Sequence, residues 1–159
     1  MEIPAEASDV VETIEVAKTV VIRNYDDRLL ILWRNETDEY NGGRPDFPGG
    51  QTEPGETRAQ AAVRETEEEA GLRLAEGDLV HVCDVTTYEQ RPWGVIRLSR
   101  SFFAAFVDEP EPTLGSEHHK LEWRSQVEAE ELLSRSLPKL ICLRGLGRIS
   151  NSRRLAAAS

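Results

Sequence analysis

The stretch TRAQAAVRETEEEAGL, residues 57–72, contains the start, the faces and the end of one amphipathic helix. Thr57 and Gln60 match a capping box at the start, and Gly71 provides the stop. The sequence therefore predicts a helix over residues 57–70 that packs one stripe of side chains against a core. The predicted core stripe is Ala59, Ala62, Val63, Thr66 and Ala70.

An adjacent arc of this helix carries carboxylates. Glu65, Glu68 and Glu69 are spaced i, i+3, i+4 and are neighbours, whereas Glu67 points elsewhere. Ala61 lies on the same arc and is expected to leave space above the carboxylates. Like charges at this spacing cost an exposed helix only about 0.2–0.5 kcal/mol per pair, so a solvated acidic face is one interpretation. The Gly- and Pro-rich segment before the helix favours the other interpretation, a site for Mg²⁺ or Mn²⁺, which prefer oxygen ligands.

The segments on either side of the helix predict a single mixed α/β domain over residues 1–159. Residues 35–56 form a long irregular segment, and segments of such length in compact domains usually have a function. The order β-β-loop-α-β-β-β-α-α predicts a mixed sandwich and not a strict βαβ alternation. The predicted strands are 16–24, 29–35, 79–90, 95–108 and 120–125, and the predicted further helices are 126–137 and 138–149, with a frayed end at 156–159.

The charge and cysteine content restrict the classes of function. With 29 acidic and 19 basic residues the net charge is −10, which disfavours binding to nucleic acid or to an anionic membrane. The first ten residues lack the features of a signal peptide, and the longest apolar run, 29–33, is too short to span a bilayer. Cys83 and Cys142 lie 59 positions apart without a neighbouring metal ligand, which favours buried thiols over a disulfide or zinc site. We therefore expect a cytoplasmic protein.

Residues 50–72, GQTEPGETRAQAAVRETEEEAGL, resemble the Nudix box, the signature of the MutT-like pyrophosphohydrolases. Thr66 stands where the family prefers Ile, Leu or Val, and because it lies on the core stripe we expect weaker packing and unchanged chemistry. The resemblance covers 23 of the 159 residues and implies a mixed β-sheet sandwiched between helices. It also implies a hydrolase that cleaves a nucleoside diphosphate linked to another moiety. The matching positions are Gly50, Glu56, Arg64, Glu65, Glu68, Glu69, Gly71 and Leu72.

The resemblance further implies roles for these residues. Arg64 would orient a glutamate by ion pairing. Glu56 would support the metal ligands without binding the ion, or would bind a further metal ion. Metal ions would allow an anionic pyrophosphate to approach the acidic helix, and would activate a water for in-line attack on phosphorus. The implied ligands of Mg²⁺ or Mn²⁺ are Glu65, Glu68, Glu69 and the backbone carbonyl of Gly50.

The general base is left open by the sequence. Glu117 lies in the loop GSEHHKLEW, and some family members take their base from a glutamate in a comparable loop. His118 and His119 are rivals because imidazole titrates near neutral pH, although solvated loop positions are the expectation for both. Glu68 or Glu69 of the box remains a further alternative.

The substrate is also left open, with a nucleoside triphosphate or polyphosphate favoured. Dinucleoside polyphosphates, nucleotide sugars and coenzyme A are alternatives within the fold, and so is a nucleotide-sensing domain without activity, which the complete acidic set disfavours. Monomer and homodimer both remain open. Candidates to stack on a base are Phe47, Tyr40, Tyr88 and Trp93, and candidates to contact phosphate are Arg44 and Arg91, with core packing or turn decoration as the alternative.

Overall fold

The computed structural model describes residues 10–38 and 42–158 of the chain. The predicted order of the main elements is confirmed. The helices are α1 Arg58–Ala70, α2 Gln126–Leu132 and α3 Leu137–Ala158, with a short 3-10 turn at Glu76–Asp78. The strands are β1 Val10–Arg23, β2 Arg28–Arg34, β3 Pro45–Asp46, β4 Gly49–Gln51, β5 Leu79–Arg91, β6 Gly94–Val107 and β7 His118–Arg124.

Three boundaries differ from the prediction. The first strand begins at Val10, because β1 pairs with β6 from that residue onward and gains backbone hydrogen bonds there. The segment predicted to be irregular contains β3 and β4, whose backbones pair with β2 and β1. The last helix does not end near Ile149 but continues to Ala158, so the predicted fraying of residues 156–158 is wrong.

The sheet is mixed, with the order β3-β2-β1-β6-β5, and with β4 beside β1 and β7 beside β2. β1 and β6 are parallel along their length, and the other pairs are antiparallel. The second edge of β1 is shared between β4, at residues 16–18, and β2, at residues 22–23. The Thr19 N–H donates to the Pro48 carbonyl at 2.8 Å, which fixes the turn before Gly49 against β1.

Helices cover both faces of the sheet, which confirms the predicted sandwich. Side chains alternate along β1, so Val20 and Ile22 enter the core under α2 and α3, while Val21 enters the core on the α1 side. The α1 side also contains a cluster of small residues around Phe103. None of the described helices is both long enough and apolar enough to cross a membrane.

α1 begins and ends as predicted. The Thr57 hydroxyl accepts from the Gln60 N–H at 3.1 Å, and the Gln60 side chain accepts from the Thr57 N–H at 2.9 Å. Gly71 adopts the left-handed conformation, with φ 66°, that closes a helix.

The buried stripe of α1 is rotated relative to the predicted one. Ala61 has no exposed surface and packs near Ala17 and Phe103, so it leaves no open space above the carboxylates. Val63 is only half-buried, and Glu69 is buried instead. The acidic arc therefore faces the sheet edge more closely than a helical wheel indicates.

Candidate metal and active site

The backbone at Gly50 lies directly against the carboxylate of Glu65. A Cβ atom placed on Gly50 would come within 2.7 Å of Glu65 Cδ and Oε1, so a side chain at position 50 would displace the carboxylate. β4 holds Gly50 opposite Ala17 of β1, while α1 packs on the same strand. The register of β4 thus brings the glycine-rich turn to the acidic arc.

The Glu69 carboxylate is buried and is hydrogen-bonded to the backbone of β4. It is 5% exposed, and its Oε1 accepts from the Gly49 N–H at 2.7 Å. Burial raises the pKa of Glu69 to about 7, although the positive charge of Lys18 and the Gly49 N–H oppose this shift. Positive charge and hydrogen bonding therefore compensate the burial of the Glu69 carboxylate only in part.

Arg64 stands at the centre of the cluster and orients its neighbours. Its guanidinium donates two hydrogen bonds to Glu56, at 2.8 and 2.9 Å, and one to Glu65 Oε1 at 2.8 Å. Glu68 Oε2 lies 3.4 Å away, and the Gln51 carbonyl accepts at 3.1 Å. Hydrogen bonding from Arg64 lowers the pKa of Glu56 to about 2. Arg64 thus contacts both Glu56 and Glu65, and the roles of these residues in metal binding stay predictions.

The predicted convergence of three glutamates is not present in this structure. Within residues 10–38 and 42–158, no three His, Cys, Asp or Glu side chains already stand in an arrangement that could hold a metal ion. The physical reason is that the three carboxylates are differently engaged: Glu65 pairs closely with Arg64, Glu69 accepts from Gly49, and the exposed Glu68 lies 3.4 Å from Arg64.

The residues nevertheless fit a hard cation in their chemistry. The donors are all oxygen atoms, and the Gly50 backbone is in contact with Glu65. Burial raises the pKa of Glu65 as well, so both inner carboxylates resist ionisation in the absence of a cation. A divalent ion would relieve this cost, as well as the repulsion between Glu65 and Glu69.

The loop between β6 and β7 packs against the C-terminal end of α1 and carries Glu117 towards the acidic cluster. Its backbone is tied to the helix by hydrogen bonds from Thr113 to the Ala70 carbonyl and from Gly115 to the Glu69 carbonyl. The Glu117 side chain is 63% exposed, with Oε2 at 3.9 Å from Arg34. Its negative charge contributes to the raised pKa of Glu65. Glu117 therefore lies within electrostatic reach of the candidate ligands.

The two histidines have different environments, and the expectation of a solvated His118 is wrong. The His118 side chain is 1% exposed, Nε2 lies 3.8 Å from Glu69 Oε2, and Nδ1 has no hydrogen-bond partner. Burial and Arg34 lower the pKa of His118. His119 is exposed, with Nδ1 3.0 Å from the Arg34 carbonyl. The bulge where β2 meets β7 sets these orientations, and no local sequence signal reveals that pairing.

Most of the predicted substrate contacts are not gathered at the acidic cluster. Phe47 has no exposed surface and belongs to the core under α2 and α3, so core packing is the correct alternative for it. Trp93 is 61% exposed in the turn between β5 and β6, with the Arg91 guanidinium 5.8 Å from its ring. Tyr88 is half-buried beside Arg97. Arg44 is exposed, and Tyr40 lies outside the described residues.

A surface depression adjoins the cluster on the outer side of α1. Its volume is about 460 Å³, and it shares Arg64 and Glu68 with the acidic cluster. Glu65, Glu69 and Gly50 are not among its lining residues, so it borders the candidate site without containing it. The remaining lining residues are Gln60, Val63, Glu67 and Glu76.

Comparisons with known proteins agree with this geometry. The model of the NUDIX domain family matches residues 13–142. The 8-oxo-dGTP diphosphatase of Escherichia coli (strain K12) is 42% identical over 52 residues, which cover 33% of this chain and 40% of that protein. The chain thus aligns with less than half the length of this relative.

Solved structures share the fold at low identity. The MutT protein from Methanosarcina mazei Go1 superimposes with a TM-score of 0.73 at 19% identity, covering 87% of this chain and 96% of the other. The C. elegans Ap4A hydrolase, in a binary complex, superimposes with a TM-score of 0.66 at 21% identity, covering 87% and 98%. With the family model matched along most of its length and the acidic cluster at the expected positions, the chain belongs to the Nudix hydrolase family.

Proposed function

We propose that this protein is a pyrophosphohydrolase that depends on Mg²⁺ or Mn²⁺. Its substrate would be a nucleoside triphosphate or polyphosphate, or a related nucleoside diphosphate derivative. The observation that carries the proposal is the pair of inner carboxylates, Glu65 against the Gly50 backbone and Glu69 on the Gly49 N–H. Burial disfavours the negative charge of both groups, although Glu65 pairs with Arg64 and Glu69 accepts a backbone hydrogen bond, and a divalent cation would compensate that charge.

The residues around the pair would have separate tasks. The candidate ligands are Glu65, Glu68, Glu69 and the Gly50 carbonyl, and Arg64 would hold Glu65 and Glu56 in place. When bound, the cation would supply charge neutralisation for the pyrophosphate oxygens and a more acidic water. The Gly49 N–H would fix one oxygen of Glu69 and so set the direction of the carboxylate.

Glu117 is the proposed general base. Its side chain is exposed and lies within electrostatic reach of Glu65, so it can meet a water on the open side of the cluster. His118 is the alternative, since its Nε2 lies beside Glu69, but its burial limits contact with a solvent-derived nucleophile. Glu68 of the box remains the third candidate.

The substrate class rests on charge and on relatives. A net charge of −10 makes a free polyanion a poor ligand and a metal-chelated nucleotide a suitable one, and it disfavours nucleic acid and membrane partners. The similarity to a protein named 8-oxo-dGTP diphosphatase supports a nucleoside triphosphate. The fold shared with an Ap4A hydrolase keeps dinucleoside polyphosphates as the second candidate, with Tyr88 as the residue to examine. The proposed location is the cytoplasm.

The proposal is tested by removing single charges from α1 without changing side-chain size. Removal of a supporting partner of a metal site typically lowers activity by about 10–100-fold. We expect Glu69→Gln and Glu68→Gln each to lower activity by more than this. Glu67→Gln is the matched control and should retain wild-type activity, because Glu67 is exposed and contacts Arg73 instead of the cluster.

The measurement is phosphate or pyrophosphate release across nucleoside triphosphates, dinucleoside polyphosphates, ADP-ribose, nucleotide sugars and coenzyme A, with Mg²⁺ and with a chelator. Circular dichroism of each variant confirms that the fold is kept. Undiminished metal-dependent hydrolysis in both variants would show that the ligand assignment is wrong. Absence of turnover on every compound would favour a domain that senses a nucleotide without cleaving it.

Glu117→Gln tests the identity of the base separately. We expect kcat to fall by about 100-fold or more while KM changes little, because a general base contributes to the transition state and not to ground-state binding. Glu111→Gln, at an exposed position in the same loop, is the control. Wild-type kinetics for Glu117→Gln would move the base to His118 or to the box.

A further inference from the structure

The two cysteines are far apart in the sequence and adjacent in the structure. Cys83 lies on β5 and Cys142 on α3, and both are free thiols. Cys142 has no exposed surface, whereas Cys83 is partly exposed and packs against the same core cluster. Both cysteines belong to the same packed cluster between β5 and α3, and each thiol shifts the pKa of the other. The fold therefore places a partly exposed cysteine and a fully buried one in the same cluster.

A β-bulge produces this contact. The register between β5 and β6 pairs His81 with Phe103 and Cys83 with Phe102, so Val82 is the extra residue. Neighbouring side chains on a strand normally point to opposite faces, yet Val82 and Cys83 both pack against the cluster that contains Cys142. The bulge thus adds Cys83 to the face of the sheet that α3 covers.

The helix lies close enough to β5 for this contact to be constrained. A Cβ atom placed on Gly145, about one turn after Cys142, would come within 3.0 Å of Val82 Cγ1. A larger side chain at position 145 would push α3 away from the strand. Gly145 and the bulge together hold the two thiols at the same level of the β5–α3 interface.

We propose that Cys83 and Cys142 form a modification site, an oxidisable pair that a hydroperoxide converts into an intramolecular disulfide between β5 and α3. In the first step the Cys83 thiolate attacks the peroxide, the O–O bond breaks, and an alcohol leaves as Cys83 becomes a sulfenic acid. In the second step Cys142 sulfur attacks Cys83 sulfur, the S–O bond breaks, and water leaves with the Cys142 proton. The two thiols are oxidised, and one hydroperoxide is reduced to an alcohol and water.

The order of the steps follows from exposure and charge. Cys142 cannot meet a reagent in solution, so Cys83 reacts first. The Cys142 thiol lowers the pKa of Cys83, with burial opposing and the nearby His81 assisting. Ionisation of Cys83 to the nucleophilic thiolate is therefore favoured, and Cys142, in the same packed cluster, is placed to resolve the sulfenic acid.

The disulfide would tie the last helix to the sheet. α3 also carries Lys139, whose Nζ lies 3.0 Å from Asp46 on β3. Gly49 of β4 is three residues after Asp46 along the chain. The bond would close a long segment of chain, since the cysteines are 59 positions apart, and such closure restricts the unfolded state. The oxidised protein is expected to unfold at a temperature several degrees higher than the reduced protein.

The experiment treats the folded, reduced full-length chain with tert-butyl hydroperoxide at neutral pH and follows thiol titre, intact mass and unfolding temperature. We expect both thiols to disappear together, the mass to fall by two hydrogen atoms, and a Cys83–Cys142 cross-linked peptide to appear after proteolysis. The protein should remain a single chain on a non-reducing gel, and dithiothreitol should restore both thiols and the original unfolding temperature.

Single-cysteine variants separate the two roles. Cys142→Ala should let Cys83 react more slowly, because the thiol that lowers its pKa is gone, and should trap a dimedone-sensitive sulfenic acid. Cys83→Ser should leave Cys142 unreactive in the folded state. Cys142→Ser is a second variant if the alanine leaves a cavity that unfolds the protein. The proposal is overturned if the wild type loses one thiol only, gains oxygen instead of losing hydrogen, keeps both thiols, or forms disulfides between chains.

Discussion

Two ion networks of opposite sign lie near Gly49 and Gly50 of β4, and their contrast explains what each contributes. On the α1 side, one guanidinium, Arg64, lies among four carboxylates, those of Glu53, Glu56, Glu65 and Glu68. On the other side, one carboxylate, Asp46, lies between two ammonium groups, at 2.9 Å from Lys18 and 3.0 Å from Lys139.

The balance of charge differs between the networks. The Asp46 network joins β1, β3 and α3, and the lysine charges exceed the carboxylate charge by only one. The Arg64 network joins α1 to the segment before it, and carboxylates outnumber the guanidinium by three. We infer that the first network is structural, because its partners are internal, and that the second has negative charge available for a ligand.

The largest expected effect is on stability, at Asp46. Asp46→Asn should lower the free energy of unfolding by about 3 kcal/mol, because two partly buried lysine charges would lose their carboxylate. Lys139→Met is the matched control and should cost less, since Asp46 would retain Lys18. Urea unfolding at neutral pH measures both variants. If Asp46→Asn leaves the free energy of unfolding unchanged, the Asp46 network is not structural.

The next effect is on activity, at Arg64. Arg64→Lys should reduce kcat/KM by about 10–100-fold, because an ammonium group cannot replace the paired hydrogen bonds to Glu56 while also holding Glu65. Its cost in unfolding free energy should stay within about 1 kcal/mol, since this network is partly exposed. Steady-state kinetics and urea unfolding separate the two quantities.

Arg73→Lys is the control for Arg64→Lys. Arg73 pairs with Glu67 at 3.2 Å on the exposed side of α1, and this conservative change should leave both activity and stability unaltered. If Arg64→Lys behaves like this control, the cluster does not depend on guanidinium geometry. If Arg64→Lys instead destabilises the fold more than Asp46→Asn, the Arg64 network is the structural one.

The smallest effect is the dependence of stability on pH. Burial disfavours the Asp46 anion, but Lys18 and Lys139 outweigh burial and hold the pKa of Asp46 below its ordinary 3.8. A depressed carboxylate pKa stabilises the folded state above the unfolded pKa, and this stability is lost as pH falls below it. The difference in unfolding free energy between wild type and Asp46→Asn should therefore be constant near neutral pH and shrink below about pH 4.

Urea titrations at several pH values between neutral and acidic conditions provide the measurement. A difference that grows in acid would show that Asp46 is not ionised by its lysines in the folded state. Glu67→Gln should follow the wild-type curve in this range, since Glu67 is exposed and pairs only with Arg73 among the contacts described above.

The sequence predicts local structure well where the signals are local. The capping box at Thr57, the stop at Gly71 and the strand over residues 16–24 each depend on residues within a few positions, and the structure confirms all three. The short strands β3 and β4 were not predicted, because their two or three residues pair with distant strands and have no periodicity of their own.

The structure brings the predicted residues around Arg64 together and rotates α1 relative to the predicted core stripe, while the roles of these residues stay predictions. Glu56, Glu65 and Arg64 are in contact, as the spacing and the family resemblance indicate. The burial of Glu69 depends on the rotation of α1 about its axis, and that of His118 on the register of β7 against β2. Both are set by packing between elements, which a single helical wheel or loop does not contain.

The order of the elements, the ends of α1 and the set of carboxylates on its arc are predictable from the amino-acid sequence, because they follow from propensity, capping and spacing along the chain. The burial of individual carboxylates, the position of Asp46 between two lysines and the packing of Cys83 and Cys142 in one cluster depend instead on tertiary contacts. Those contacts join residues distant in sequence. Strand register and helix rotation choose them, and the free energy of packing the whole core sets both.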